Sequence, residues 1–441
     1  MAENFVNVDR DTPLLLPADL RQWVPEDDLV HFVISAVDSM HLGSLQVNER
    51  GTGSAQYPPT MMLALLLYCY ANGIFSSRRI ERATWRDVGV RYLTGDTHPD
   101  HDTICGFRRS NAALVAEAFS ELLRLASEMG LVKVGTLSVD GTQILANASR
   151  HKSVRYDRAG ELERRLLQDI QGLLAEAERQ DREDEPDDQA LPVEIARREK
   201  LREKLLEARR RLEERARAES SHPPNQPGAP REERPRRKPR KRRPLDEQQI
   251  NLTDADSALM RKSHRDGYTQ SYNAQAVVDT EGGQLVVATT VLRTPSDANQ
   301  LEPALHAVPP SLGEVSCILA DGGYLNADAI EAIQRMGIEV YVAITDEEQN
   351  VRRYDYRAPR IKPPKRITDP RLVAMREKLS TPQGRRTYRR RAATVEPVFG
   401  TIKAALGFRQ FLLRGLAKVK LEWQLVCLAY NLRRMHALTT A

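Results

Sequence analysis

The sequence predicts an α/β protein in which an all-α N-terminal domain precedes a mixed sheet, and a helical hairpin interrupts that sheet. Three observations predict it. From Asp19 to Gly130 the apolar residues recur at helical spacing, with breaks at Pro25, Pro58, Gly73 and Pro99. Beyond Gly130, strand-like runs alternate with helical ones, at 136–142, 272–279, 284–292, 317–320 and 338–344. Between the first two runs, the stripes Leu162, Leu166, Ile170, Leu173, Ala177 and Leu201, Leu205, Ala208, Leu212 flank the acidic residues 183–188, the pattern of two charged helices folded back on each other.

In the N-terminal domain, 1–130, an apolar helix over 61–71 is followed by Gly73 and by Ser76 and Ser77 as N-cap candidates. The next helix carries Arg78, Arg79, Arg82 and Arg86. Helix, turn and basic helix suit a DNA-reading module, and ordinary helical packing gives the same pattern. The second part, 131–441, starts its sheet near Leu137 and is interrupted by the hairpin, 155–219, and by a Pro/Arg-rich segment, 220–250, that includes Arg236, Arg237 and Lys238. Such a segment cannot form a core and is expected to be a disordered linker that serves either to bind DNA backbone or as a spacer. The sheet resumes as a hairpin turning at 281–283. A helix over 299–306, the strand at 317–320, a helix over 326–336 and the strand at 338–344 follow. A long basic connection then leads to a helix from Ala393, and an apolar helix over 421–435 is expected to pack on the sheet.

Chemistry is concentrated in three acids. Glu396 is the only carboxylate between Lys378 and Leu421, in a stretch that holds eleven lysines and arginines. An acid kept amid so much positive charge suits a divalent metal beside a bound polyanion. Glu396, Phe399 and Lys403 fall at i, i+3 and i+7, one helical face, with Lys403 about 10.5 Å from Glu396 along the axis. Residues 136–142 and 317–324 each read as a strand delivering one Asp, Asp140 or Asp321, at its C-terminal end before glycine. Open α/β sheets place ligands at that edge. A single Asp-Gly is ordinarily only a turn.

Asp140, Asp321 and Glu396, in that order and context, resemble the Asp, Asp and Glu of the DDE transposases of bacterial insertion sequences. Tyr388, Arg391, Glu396 and Lys403 resemble the family's Tyr-Arg-Glu-Lys signature. The Arg391 to Glu396 gap is one residue longer than the commonest form, so Arg390 is the alternative arginine. The similarity extends through 251–257, 272–279, 73–78 and 99–103. It implies a ribonuclease H-like catalytic domain and an insertion-sequence N-terminal helical domain. It also implies two Mg2+ ions on the three acids, with Mn2+ as a substitute, and in-line cleavage of DNA at the element's ends followed by 3′-hydroxyl strand transfer. Tyr388, Arg390 or Arg391, Lys403, Arg78, Arg79, Arg82, Arg236, Arg237 and Lys238 are then candidate DNA contacts. Asn273 and Gln275 either line the groove or bond within the sheet. A homodimer or larger assembly on DNA is implied as well. A nuclease of the same fold that does not join strands, and an inactive transposase-derived DNA-binding protein, are the competing readings.

Composition agrees. The net charge is only +5 over 441 residues, but bases gather at 231–243 and 385–420. The four cysteines, Cys69, Cys105, Cys317 and Cys427, lie far apart in apolar segments, unlike a disulfide framework or a zinc site. The first ten residues hold no apolar h-region and the longest apolar stretch, 61–70, is too short to span a bilayer, so a cytoplasmic, nucleoid-associated protein is expected. A glycosidase also uses paired carboxylates, but 5% aromatic residues and a basic surround do not suit a sugar cleft.

Overall fold

Polar caps and apolar stripes set the N-terminal helices, α1 (Leu29–Asp38), α2 (Pro59–Ala71), α3 (Ser77–Arg86), α4 (Val88–Leu93), α5 (His101–Ser110) and α6 (Ala112–Glu128). Asp28, Asp87 and Asp100 each accept a backbone N–H in the first turn of the helix they precede. Helix α2 opens on Pro59 and is buried from Met62 to Ala71, so it forms the centre of this part and is not an amphipathic surface helix. Its turn into α3 needs Gly73 twice over. The residue has φ +73°, and a Cβ there would lie 2.6 Å from the Leu406 carbonyl oxygen. The structure, a computed structural model, describes residues 19–45, 56–183, 190–221, 244–261, 266–344 and 367–440.

Next come β1 (Thr136–Leu145), β2 (Ser153–Arg155), α7 (Tyr156–Glu183), α8 (Ala190–Ser221), β3 (Gln249–Asn251) and β4 (Ala258–Met260). After them stand β5 (Thr269–Asp279), β6 (Val286–Leu292), α9 (Leu301–His306), β7 (Cys317–Ala320), α10 (Ala327–Arg335) and β8 (Glu339–Val342). The chain closes with α11 (Pro370–Ser380), α12 (Pro382–Gly400), a π-turn (Thr401–Ala405) and α13 (Leu416–Thr439). In the main sheet β5 lies antiparallel to β1 on one side and to β6 and the short β4 on the other, while β7 and β8 continue parallel beyond β1. This is the ribonuclease H-like mixed sheet, with the α7–α8 hairpin inserted between its first and second long strands. Strands β2 and β3 pair at the base of that hairpin.

Helix α13 is shared by both parts. It packs on β6 on one side and on α2 and α6 on the other, within one continuous core. Trp423 Nε1 donates to the Gln275 carbonyl, and Asn431 bonds both the amide and the carbonyl of Val286 on β6. Glu422 is the exception on this apolar helix. Fully buried, it accepts the Leu412 and Leu413 amides at 2.9 to 3.2 Å. Burial pushes its carboxyl up to about 7, against the lowering pull of those amides and of the Arg108 charge.

Several expectations need correction. Strand β1 does not end at Asp140. Its pairing with β5 runs from Leu137 to Leu145, because Thr142, Gln143 and Ile144 keep strand partners across Gly141. The last residues of the 220–250 linker, from 244, are ordered by a short helical turn and by β3; Arg236, Arg237 and Lys238 lie outside the described residues. The helix that carries Glu396 begins at Pro382, capped by Thr381, rather than at Ala393. It turns into a π-turn at Thr401, so its α-helical face does not continue to Lys403.

Candidate active site

Parallel pairing in register brings the first two acids together. Val139 stands opposite Ala320, so Asp140 and Asp321 are the next residues along on adjacent strands. Asp321 leaves the end of β7 and accepts the Gly323 amide at 2.8 Å, which fixes the turn after the strand. Asp140 sits inside β1, is 17% exposed at its side chain, and accepts the Gly141 amide at 2.7 Å. Burial first, and then the negative charge of Asp321, push its carboxyl up to about 7, with Arg391 opposing.

The third acid arrives on α12. Arg391, 10% exposed, reaches Asp140 Oδ2 at 3.2 Å with Nη1 and Glu396 Oε1 at 3.5 Å with Nη2. One guanidinium thus links the first and third acids, while its buried Nε meets no acceptor. Glu396 itself is 61% exposed and open to solvent. Between the two candidate arginines the placement differs sharply: Arg390 turns outward to Glu281 at 3.2 Å and to the Thr280 carbonyl. Tyr388 is buried among Cys317, Leu319 and Tyr341, with the Arg391 guanidinium 5.9 Å from its ring centre. Lys403 lies in the π-turn that follows α12. Its Nζ donates to Thr142 Oγ1 at 2.6 Å and to the Gln143 carbonyl at 2.8 Å, tying the π-turn to β1.

Sequence reasoning missed Asp297. It lies in the loop between β6 and α9, where Ser296-Asp297-Ala298-Asn299 shows only turn composition. Asn273 and Gln275, left open between two roles, both donate to it, at 2.6 and 2.5 Å. Burial raises its pKa, those two donors pull it down, and the Asp321 charge adds to the rise. Away from this centre, Arg78, Arg79 and Arg82 are exposed on α3, and Trp85 beside them is exposed while its ring stacks on His98.

The donors suit a divalent cation in kind, since all are hard carboxylate oxygens. Asp321 and Asp297 come close together at Gly323, where a Cβ would lie 2.9 Å from Asp321 Oδ1 and 3.0 Å from Asp297 Oδ2. Among the described residues no three acidic, histidine or cysteine side chains converge on a single point. In this arrangement the Arg391 guanidinium is the charge between Asp140 and Glu396.

Residues 238–432 match the family described as Transposase DDE domain, and residues 18–110 match Transposase domain (DUF772). No curated protein and no solved structure matches. The first match holds Asp321 and Glu396 but starts after Asp140, whose place rests on the β1–β7 register. The second match covers the turn at Gly73 and the helix that carries the α3 arginines. With both matches on one chain, over a ribonuclease H-like sheet, this protein belongs to the DDE transposases of insertion sequences.

Proposed function

We propose that the chain cuts DNA at the ends of its element and joins the freed 3′ hydroxyls to target DNA, with Asp140, Asp321 and Glu396 as its acids. The observation that carries this reading is the in-register pairing that makes Asp140 and Asp321 neighbours, together with the Arg391 link from Asp140 to Glu396. Asp140, Asp321 and Glu396 would hold Mg2+, with Mn2+ as a substitute. When bound, the divalent cation supplies Lewis-acid charge beside the phosphodiester and lowers the pKa of the attacking hydroxyl.

The protein's own groups have distinct tasks. Asp140 carries a proton for part of the time near neutral pH and must lose it before its carboxylate can serve a cation. Arg391 keeps Asp140 and Glu396 oriented toward each other. Tyr388 packs under Arg391 and holds it in place. Lys403 fixes the π-turn to β1 beside Asp140, and its charge raises the local potential for DNA. The helical part, 1–130, presents Arg78, Arg79 and Arg82 to DNA backbone, and two copies act on paired ends.

The test is cleavage of labelled element-end DNA in Mg2+ by Asp140→Ala, Asp321→Ala and Glu396→Ala. Each variant should lose cleavage and strand transfer while retaining a gel shift. A variant that cuts near the wild-type rate removes its residue from the site. Cleavage without transfer by the wild type would mark a nuclease.

A further inference from the structure

Asp297 is held by more of the fold than a surface loop acid requires. Its Oδ1 accepts Asn273 Nδ2 at 2.6 Å and Gln275 Nε2 at 2.5 Å, and Tyr324, fully buried, donates its hydroxyl to Gln275 Oε1 at 2.6 Å. The ionised Asp297 carboxylate, which can only accept, sets the Gln275 amide with its NH2 toward Asp297 and its carbonyl toward the Tyr324 hydroxyl, which donates to it. Opposite Gln275 on β1 stands Gly141. A Cβ there would lie 2.6 Å from Asn273 Oδ1, 2.7 Å from Gln275 Nε2 and 2.9 Å from Asp297 Oδ1, so the missing side chain is what lets the three groups meet.

The second oxygen of Asp297 is treated differently. Oδ2 accepts no hydrogen bond among the described residues, and no lysine or arginine there pairs with this carboxylate. It and Asp321 Oδ1 both approach Gly323, 3.0 and 2.9 Å from where a Cβ there would lie. Two carboxylates that approach one glycine without a bridging base repel each other, and a cation between them removes that repulsion. Successive residues of β1 face opposite sides of the sheet, so Gly141, Asn273 and Gln275 place Asp297 on the side away from the Asp140–Arg391 contact. Asp321, at the strand end, is the acid that both sides share.

We propose that Asp297 is a fourth carboxylate of this site, paired with Asp321 toward a divalent cation and oriented by the Tyr324–Gln275 relay. The inference rests on the reading of Asp140, Asp321 and Glu396 as a divalent-cation site. Its test is titration of the full-length, DNA-free protein with Mn2+, free Mn2+ being read by electron paramagnetic resonance. Asp297→Asn removes the charge but keeps a carbonyl to accept the Asn273 and Gln275 donors. It should weaken Mn2+ binding tenfold or more without lowering the melting temperature in EDTA. Asp297→Ser should show the same loss of affinity.

Asp140→Asn, titrated in parallel, separates the two ideas. Normal Mn2+ affinity in Asp297→Asn with weakened affinity in Asp140→Asn would overturn the role of Asp297 and leave the site intact. Normal affinity in both would overturn the site and this inference with it. A lowered melting temperature in EDTA with unchanged Mn2+ affinity would make Asp297 a structural acid, again against the proposal.

Discussion

Replacing Asp140 by Asn should stabilise the metal-free protein, because the native fold holds this carboxyl where ionisation is unfavourable. Its pKa is raised from 3.8 to about 7, chiefly by burial and by Asp321. At about 1.36 kcal/mol per pKa unit, ionising Asp140 in the folded state costs about 4 kcal/mol relative to the unfolded chain. The sign follows from proton counting. The folded state binds the extra proton between pH 3.8 and about 7, so wild-type stability falls as pH rises through that window and levels off above it. Asp140→Asn lacks this dependence. Its advantage should be small near pH 4 and grow to about 4 kcal/mol by pH 8. At roughly 2.1 cal/mol/K of unfolding entropy per residue, this chain should gain about 1 °C per kcal/mol, a rise of roughly 4 °C. Scanning calorimetry of both proteins in EDTA from pH 5 to 8.5 measures it. With saturating Mg2+ the order should narrow or reverse, since only the wild type gains ligand stabilisation, about 2.7 kcal/mol at a hundredfold excess over Kd. A difference in melting temperature that stays flat with pH, or an Asn variant less stable at pH 8 in EDTA, would refute the placement of Asp140 as a buried, mutually repelled acid.

Three further outcomes follow from other contacts. Glu422→Gln keeps an acceptor for the Leu412 and Leu413 amides while removing a carboxyl raised from 4.5 to about 7. Its stability relative to wild type should therefore rise by about 3 kcal/mol between pH 4.5 and 7, and a pH-independent difference in urea unfolding would count against it. Lys403→Met, which deletes the bonds to Thr142 and Gln143 but keeps an apolar stem, should slow strand cleavage at least tenfold with DNA affinity changed less than threefold. A loss confined to DNA affinity would return Lys403 to direct phosphate contact. Replacing Arg78, Arg79 and Arg82 together by Ala should make the slope of log affinity against log salt shallower by about 2 to 3 in filter binding, and an unchanged slope removes α3 from the interface.

Much of the candidate site was legible because its signals are local. Asp321 follows a continuous apolar strand and precedes two glycines, and it stands at the strand end as that pattern implies. Glu396 was visible as one acid in a basic run. The rest depends on contacts that spacing does not encode. Asp140-Gly141 has turn composition, yet Gly141 lies within β1, where its missing side chain admits Asn273 and Gln275 from the next strand. Asp297 sits in a loop of ordinary turn residues, and only the tertiary fold brings it to Asp321. Lys403 keeps i+7 spacing from Glu396, but it lies within the π-turn and bonds β1. The early start of α12 was readable after all: Thr381-Pro382 is an N-cap followed by a proline at the first helical position. The one-residue-longer arginine spacing left two candidates, and they diverge in space, Arg391 to the acids and Arg390 to Glu281.

The central claim is that Asp140 and Asp321, neighbours through the β1–β7 register, are the heart of a divalent-cation site that Glu396 completes. Anomalous diffraction at the manganese edge from crystals of the full chain soaked in Mn2+ tests it most directly. The expected result is a peak at oxygen-ligand distance, about 2.0 to 2.2 Å, from carboxylates of both Asp140 and Asp321, with Arg391 displaced from Asp140. Manganese bound elsewhere, with Asp140 and Glu396 still joined by Arg391, would contradict it.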